Sequence, residues 1–283
     1  MKWSDMRRSG NVEDTRGGGG RIPGGVGGAS IGSVVIAVIA GLIFGVNPLK
    51  ILSLLQGGDV GPAPQQQGKP IQDRDSDFVK AVLGDTEDTW GRVFKQQLNA
   101  TYQPPRLVLF TNGVNSACGL AKSATGPFYC PGDDKVYLDM GFFRQIQATA
   151  GADADFARAY AIAHEVGHHV QNQLGISTKV RQLQTRSNKA TANNLSVRLE
   201  LQADCFAGIW GHYTAERNLI NGQDVKGAMD TAAQIGDDYL QKQSQGYVVP
   251  EAFTHGSSEQ RVSWFSRGLK SGSLKQCDTF ATN

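Results

Sequence analysis

One short stretch of the chain carries two histidines and a glutamate at the spacing of a hydrolytic metal site. It reads His-Glu-Val-Gly-His at residues 164–168, inside residues 153–174, where apolar residues recur at three- and four-residue steps and predict a helix. Residues four apart lie on one face of a helix, so His164 and His168 can bind one metal ion, usually zinc. Glu165 can then act as general base towards a water, which predicts metal-assisted hydrolysis of a peptide bond.

A second predicted helix, over residues 191–217, offers the remaining ligand. Glu200 and Asp204 on it are four residues apart, so their carboxyl groups share one face. We assign Glu200 as the third zinc ligand and Asp204 as the carboxylate that accepts the outer ring N–H of His164. Two histidines and one carboxylate leave a coordination position open, as in catalytic zinc sites. A solvated acidic helix face is the alternative interpretation.

Gly167 lies inside the predicted metal-binding helix. Glycine in a helix interior costs about 1 kcal/mol relative to alanine, so its presence predicts a closely packed neighbouring helix or the metal at this point. The alternative is a solvated helix with incidental histidines, which gives no reason for the glycine.

The arrangement of these motifs resembles a known family. His164, Glu165, His168 and Glu200, followed by Asp204, are similar to the zincins whose third ligand is glutamate. More closely, the chain resembles the bacterial putative neutral zinc metallopeptidases (YpfJ-type) over nearly its whole length. The similar segments are the Gly-rich start, one membrane segment and residues 116–119, 126–131, 136–139, 164–169 and 200–204. The resemblance implies a zinc-dependent peptidase and no particular substrate.

A peptidase of this type needs a donor for the oxyanion of the tetrahedral intermediate. His255 and Arg261 fit that requirement. The stretch that holds them is similar to a His-Pro-x-x-x-x-Arg element of a related membrane-bound peptidase family, with glycine here in place of the proline. A loop or helix-capping role is the alternative for His255.

The length of 283 residues allows one sizeable domain with appendages. A net charge of +2, without a basic patch that contains aromatic residues, gives no reason to expect a nucleic-acid partner. Composition divides the chain into a disordered Gly-rich segment (1–25), a transmembrane helix (26–48), a linker (49–72) and the peptidase domain (73–283).

The orientation of that membrane helix follows from the positive charges beside it. The cations Lys2, Arg7, Arg8, Arg16 and Arg21 precede the span, and only Lys50 follows closely. The positive-inside rule then predicts a single-pass protein with a cytoplasmic N-terminus and a periplasmic or extracellular catalytic domain. A cleaved signal peptide is the competing interpretation of the apolar stretch.

Four cysteines, all beyond the predicted membrane segment, agree with an oxidising compartment. Cys118 and Cys130 flank a turn region, and we predict a disulfide between them. Cys205 and Cys277 either pair or remain as two buried free thiols, and a second metal site is a weaker alternative.

The pattern of short strands followed by helices predicts an α+β domain, zincin-like and mainly helical, with a small antiparallel sheet. Helices are expected at 78–83, 86–98, 139–149, 153–174, 179–186, 191–217, 223–243 and 258–269. An extended peptide can add to an edge strand, and we expect residues 136–138 or 107–109 to provide it unless both are interior strands.

The sequence therefore favours a membrane-anchored zinc metallopeptidase whose partners are a peptide or protein substrate and the membrane. Three alternatives stay open: a noncatalytic metal-binding module of the cell envelope, a cell-wall amidase with the same zinc chemistry, and a ligand-binding domain without metal. The sequence gives no indication of the oligomeric state.

Overall fold

The computed structural model describes residues 1–16, 73–122, 126–150 and 154–281. The predicted membrane helix (26–48) and linker (49–72) lie outside these residues. Within the described ranges, no helix has both the length and the apolar character needed to cross a membrane.

Helices make up most of the described chain, as predicted for a mainly helical α+β domain. Their bounds are α1 Arg74–Val93, α2 Met140–Ala150, α3 Ala154–Gln173, α4 Ile176–Gln184, α5 Lys189–Glu216, α6 Gly222–Gln234, α7 Asp237–Gln245 and α8 Ser258–Ser271. Single turns of 3-10 helix occur at Trp3–Asp5, Pro250–Ala252 and Leu274–Cys277, and a π-helical turn at Phe94–Leu98 follows α1.

Two helix predictions are corrected by the structure. The segments 78–83 and 86–98 form one continuous helix, α1, which starts with a capping box between Asp73 and Ser76 and continues into the π-turn. The segment 223–243 is two helices, because the chain turns at Gly236, where extended backbone separates α6 from α7.

The main sheet has four strands in the order β1-β2-β6-β5. They are β1 Val12–Asp14, β2 Arg106–Phe110, β5 Phe128–Cys130 and β6 Lys135–Asp139; β3 Gly113–Ser116 and β4 Gly119–Lys122 form a separate antiparallel hairpin. The prediction of an antiparallel main sheet is wrong, since β1 and β6 both run parallel to β2 and only β5 is antiparallel to its neighbour. The hairpin and β5 supply the long connection that parallel β2 and β6 require.

Both strands expected to form an edge for substrate are interior. Residues 107–109 lie in β2, between β1 and β6, and residues 136–138 lie in β6, between β2 and β5. The outer strands of the sheet are β1 and β5.

The prediction of disorder over residues 1–25 is wrong for residues 1–16. These residues pack on the domain, and β1 pairs with β2 in a register that places Val12 opposite Leu107 and Asp14 opposite Leu109. The folded domain therefore contains residues 1–16 in addition to the part that begins near Asp73.

The two helices with the sequence motifs, α3 and α5, pack against each other in the core. Phe156 of α3 stacks on Trp210 of α5 with ring centroids 5.6 Å apart, and both side chains are fully buried. Burial of such aromatic side chains stabilises the contact between the helices and fixes their relative position.

Two disulfides tie the loops to this core. The predicted bond between Cys118 and Cys130 is present and joins the β3–β4 turn to β5. Cys205 and Cys277, whose pairing the sequence left open, also form a disulfide, which holds the C-terminal 3-10 turn against α5.

Candidate metal centre

The three predicted ligands meet at one point between α3 and α5. His164 Nε2 lies 3.2 Å from Glu200 Oε2, and His168 Nε2 lies 3.5 Å from Glu200 Oε1. The ligand atoms of the three residues are all within 4.8 Å of one another. Two imidazoles from one helix thus face one carboxylate from the other, as the spacing predicted.

Gly167 allows the two helices to come this close. A Cβ atom at this position would lie 3.0 Å from the backbone oxygen of Ala203 and 3.2 Å from its Cα. The predicted reason for a glycine in this helix, a closely packed neighbour, is therefore present, and the neighbour is the helix that carries Glu200.

Both histidines are held through the ring nitrogen that faces away from Glu200. His164 Nδ1 lies 2.8 Å from Asp204 Oδ1, the partner that the sequence predicted. His168 Nδ1 lies 2.9 Å from Oε1 of Gln171, whose amide nitrogen donates to the Leu199 carbonyl oxygen. With each Nδ1–H donated, both Nε2 atoms are oriented as metal ligands.

Asp204 connects the centre to α8. Its carboxylate is fully buried and accepts a hydrogen bond from the Tyr160 hydroxyl. Arg261 donates two more: its Nε to Oδ2 at 2.8 Å, and a terminal nitrogen to Oδ1 at 2.9 Å. Burial raises the pKa of this carboxyl, but the positive charges of Arg261 and His164 outweigh it and lower the pKa below its usual range. The group is thus an anion that holds His164 in place.

The structure does not support the prediction that Arg261 stabilises the oxyanion. Its guanidinium is 2% exposed and is directed at Asp204, with a further contact to the Ile235 carbonyl oxygen. Arg261 therefore lies behind His164 and contacts the centre through the Asp204 carboxylate.

Glu165 occupies the position expected of a base. Its side chain is buried beside the two histidines on α3, and its carboxylate accepts a hydrogen bond from the backbone N–H of Tyr129 on β5. Burial raises the pKa of Glu165, and the charges of His168 and His164 offset this only in part. A raised pKa brings a carboxylate closer to the range in which it exchanges protons at neutral pH.

The charges of the ligands favour a cation. Burial raises the pKa of Glu200, but His168 and His164 overcome this and hold the pKa well below its usual range, so the residue is a carboxylate. Burial lowers the pKa of His164, but Asp204 and Glu200 outweigh this and raise it to about 10. Metal binding at Nε2 therefore displaces a proton from His164.

His255 approaches the centre from a separate loop that Asp237 organises. Asp237 Oδ2 accepts the backbone N–H groups of residues 254, 255 and 256 at 2.7, 2.6 and 2.9 Å, and Oδ1 lies 3.3 Å from His255 Nδ1. His255 is close enough to Glu200 for its charge to lower the pKa of that carboxyl. Of the two predicted oxyanion donors, Arg261 is bound to Asp204, whereas His255 is bound to Asp237.

Sequence reasoning missed several residues that support the centre. Gln171 lies three residues after His168, a helical spacing that was visible in the sequence. Tyr160 lies one turn before His164, which was equally visible. Tyr129 had no such signal, because its contact with α3 depends on the position of β5. His169 is buried, with Nε2 2.7 Å from the Gln103 carbonyl oxygen, and it faces away from the ligands.

The donor set fits zinc. Two imidazole nitrogens and one carboxylate oxygen are the ligands of catalytic zinc sites that keep one position open. The side chains of His168 and Glu200 are each 20% exposed, whereas Asp204 behind them is fully buried. A substrate can therefore reach the ligand side of the centre from solvent.

The family of the chain follows from comparison with other sequences. The profile of the family described as "Putative neutral zinc metallopeptidase" matches residues 1–280. The uncharacterized protein YpfJ of Escherichia coli strain K12 is 46% identical over 293 residues, which cover 99% of both chains. The uncharacterized protein Mb2605 of Mycobacterium bovis is 38% identical over 215 residues, which cover 72% of this chain and 71% of the relative. No solved structure was found to match. The chain belongs to the neutral zinc metallopeptidase family.

Proposed function

We propose that this protein is a zinc-dependent peptidase in which Glu165 is the general base. The observation that carries the proposal is the convergence of His164, His168 and Glu200 beside the buried Glu165. A structural zinc site uses four protein ligands and needs no neighbouring base, whereas this centre has three ligands, solvent access on one side and a carboxylate of raised pKa.

Each residue of the centre then has a distinct task. Zinc, when bound, polarises the scissile carbonyl and acidifies a water molecule. Glu165 takes the proton from that water and passes it to the leaving amine. His255 donates to the oxygen of the tetrahedral intermediate, and Asp237 holds its loop in position. Asp204 and Arg261 keep His164 in the orientation that the ligand set requires.

The peptide substrate is proposed to bind along β5. This strand is an outer strand of the sheet, and the backbone of its Tyr129 is hydrogen-bonded to the Glu165 carboxylate. An extended peptide that pairs with this edge would bring its backbone to the catalytic base. Strand addition recognises the backbone, so the substrate class is an extended or unfolded polypeptide segment.

The test is the substitution Glu165→Gln in the full chain, with Glu216→Gln as a matched control. Glu216 is an exposed residue at the end of the same helix that carries Glu200. We expect Glu165→Gln to retain one zinc per chain and to lose at least about 10²–10⁴-fold in the rate of peptide cleavage. The control variant is expected to match the parent in both zinc content and rate. Equal rates for Glu165→Gln and the parent would overturn the assignment of the base.

Two alternatives are separated by the substrates offered. A noncatalytic metal-binding module would retain zinc and cleave neither unfolded protein nor purified peptidoglycan. A cell-wall amidase would release peptides from peptidoglycan and leave unfolded protein intact. The proposed peptidase cleaves unfolded protein, and chelation of the metal abolishes this cleavage.

We also propose that the domain works in an oxidising compartment, attached to a membrane through the uncharged stretch at 26–48. The two disulfides of the described residues support an oxidising compartment, because such bonds persist outside the reducing cytosol. Recovery of the full chain in the soluble fraction after cell lysis would contradict the attachment.

A further inference from the structure

Residues 1–16, which we call the N-terminal arm, are bound to the peptidase domain through their backbone. Four backbone hydrogen bonds join them to it outside the β-ladder. Lys2 N donates to the Leu219 oxygen at 2.7 Å, and three further bonds are each 2.9 Å long: Ser9 N to the Lys80 oxygen, Leu107 N to the Asn11 oxygen and Thr15 N to the Leu109 oxygen. Between the last two, β1 extends the sheet parallel to β2. The arm is therefore an outer strand of the same sheet that carries β5.

Apolar side chains of the arm are part of the core. Met6 is 5% exposed, and the Trp3 ring meets Phe78 of α1 edge to face with centroids 5.5 Å apart. Trp3 Nε1 also donates to the Asp155 carboxylate at the start of α3, at 3.1 Å. Removal of the arm would expose Phe78, which is fully buried in its presence.

A glycine on α1 makes room for the arm. A Cβ atom at Gly84 would lie 2.3 Å from the backbone oxygen of Arg7, a distance that no real contact allows. A Cβ atom at Gly91, two turns further along α1, would have nothing within 4 Å. The surface of α1 is thus shaped for the backbone of the arm at one place.

Three arginines of the arm pair with carboxylates of the described chain. Arg7 binds Glu87 and Asp88, Arg8 binds Asp77, and Arg16 binds Asp14 and Asp73, with closest distances of 2.6–2.8 Å. These arginines supplied three of the five charges that predicted a cytoplasmic N-terminus. In the fold these arginines are partners of acidic residues on or next to α1 and, for Arg16, also of Asp14 in β1.

Arg16 and Asp73, the described residues that flank the stretch 17–72, lie next to each other. They are joined by an ion pair with a nitrogen–oxygen distance of 2.8 Å. A single crossing of a membrane separates the two ends by about 30 Å of hydrocarbon. A docked arm and a single crossing are therefore incompatible within one chain.

We propose that the N-terminal arm and the peptidase domain fold as one unit on the same side of the membrane. Arg16 and Asp73 then lie on the same side of the bilayer. This replaces the predicted orientation, in which the N-terminus and the catalytic domain lie on opposite sides. The inference rests on the contacts of the arm and holds whether or not the centre is catalytic.

Cysteine labelling of the full chain in intact cells tests the sidedness. All four native cysteines are in disulfides, so one introduced cysteine is the reactive thiol. Ser4→Cys places it on an exposed position of the arm, and Ser244→Cys is the matched change on the exposed surface of α7. With a membrane-impermeant maleimide, we expect both positions to be labelled, or both to be protected until lysis. Labelling of one and protection of the other would overturn the proposal.

A pair of glycine substitutions tests the docking itself. In the purified full chain, Gly84→Ala is expected to increase hydrogen exchange of the β1 and β2 amides by at least tenfold and to lower the melting temperature. Gly91→Ala, on the same helix, is expected to leave both at the parent values or slightly above. If Gly84→Ala and Gly91→Ala have the same hydrogen-exchange rates and the same melting temperature, the arm is not held as the structure shows. If Gly84→Ala does not fold, the labelling result decides alone.

Discussion

The metal centre and the N-terminal arm are both held by ion pairs, but the pairs differ in their exposure to water. At the centre, Asp204 is fully buried and its partner Arg261 is 2% exposed. On the arm, the side chains of Arg7 and Asp88 are each 47% exposed, whereas those of Arg16 and Asp14 are each 5% exposed. Burial removes the alternative of solvation, so the loss of one partner leaves an unpaired buried charge at the centre, but not at the exposed pair of Arg7 and Asp88.

This difference shows how each region is stabilised. An exposed ion pair contributes about 0–1 kcal/mol, so the docking of the arm depends mainly on its backbone pairing with β2, on the burial of Met6 and on the packing of Trp3 against Phe78. The centre depends on a connected set of buried polar groups, Tyr160, Asp204 and Arg261, each of which satisfies the others. The loss of one ion-pair partner should therefore lower the free energy of unfolding much more at the centre than at the exposed pairs of the arm.

The largest effect is expected for Asp204→Asn. The change keeps the shape of the side chain but leaves Arg261 buried without a charged partner, which we expect to destabilise the fold by about 3–5 kcal/mol. It also removes the carboxylate behind His164, which we expect to lower zinc affinity by roughly 10–100-fold. Denaturant unfolding and chelator competition measure the two effects.

A control and a double variant sharpen this prediction. Asp230→Asn breaks an exposed pair with Lys226 on α6 and should cost no more than about 1 kcal/mol. The double variant Asp204→Asn/Arg261→Met removes the unpaired charge, so it should regain stability and still bind zinc weakly. If Asp204→Asn were as stable as Asp230→Asn, the contrast between buried and exposed ion pairs would be broken.

An intermediate effect is expected in the His255 loop. His255→Ala should lower kcat by about 10²-fold with little change in KM, as for the loss of one oxyanion donor. Asp237→Asn weakens the loop that carries His255, and we expect a loss of roughly tenfold in kcat with zinc content unchanged. If the two residues act as one unit, the double variant should be no slower than His255→Ala. Additive losses would show that Asp237 acts independently of His255.

The smallest effect concerns the exposed ion pairs of the arm. The hydrogen bond from Arg8 lowers the pKa of Asp77 below its ordinary value of 3.8. Since the folded state lowers this pKa, the contact stabilises the protein above pH 3.8 and is lost as the pH falls through the lowered value. Asp77→Asn should therefore reduce the melting temperature by roughly 1–3 °C at neutral pH, and the difference should shrink as the pH falls below 3.8. A difference that persists in acid would contradict this account.

Sequence reasoning identified the metal centre because short-range geometry determines most of it. The ligands His164 and His168 are one helical turn apart, and so are Glu200 and Asp204, so two helices account for four residues. The bond between Cys118 and Cys130 was equally local. What the pattern did not determine was the face of α8 on which Arg261 lies, since that depends on how α8 packs against α5.

The prediction that residues 1–16 are disordered failed for a physical reason. Residues 1–16 are polar, basic and without apolar periodicity, a composition typical of disorder. Their order comes from partners far along the chain, namely the edge of β2 and the carboxylates of α1. The parallel direction of β2 and β6 was missed for the same reason, because strand pairing across a long connection leaves no local signal.

X-ray absorption at the zinc edge of the purified full chain tests the central claim most directly. The account predicts one zinc per chain with two imidazole nitrogens and oxygen ligands at about 2.0–2.2 Å, one of the oxygens from Glu200. In Glu200→Ala the oxygen contribution should fall and zinc should bind more weakly. A sulfur shell at about 2.3 Å, or zinc binding unaffected by Glu200→Ala, would contradict it.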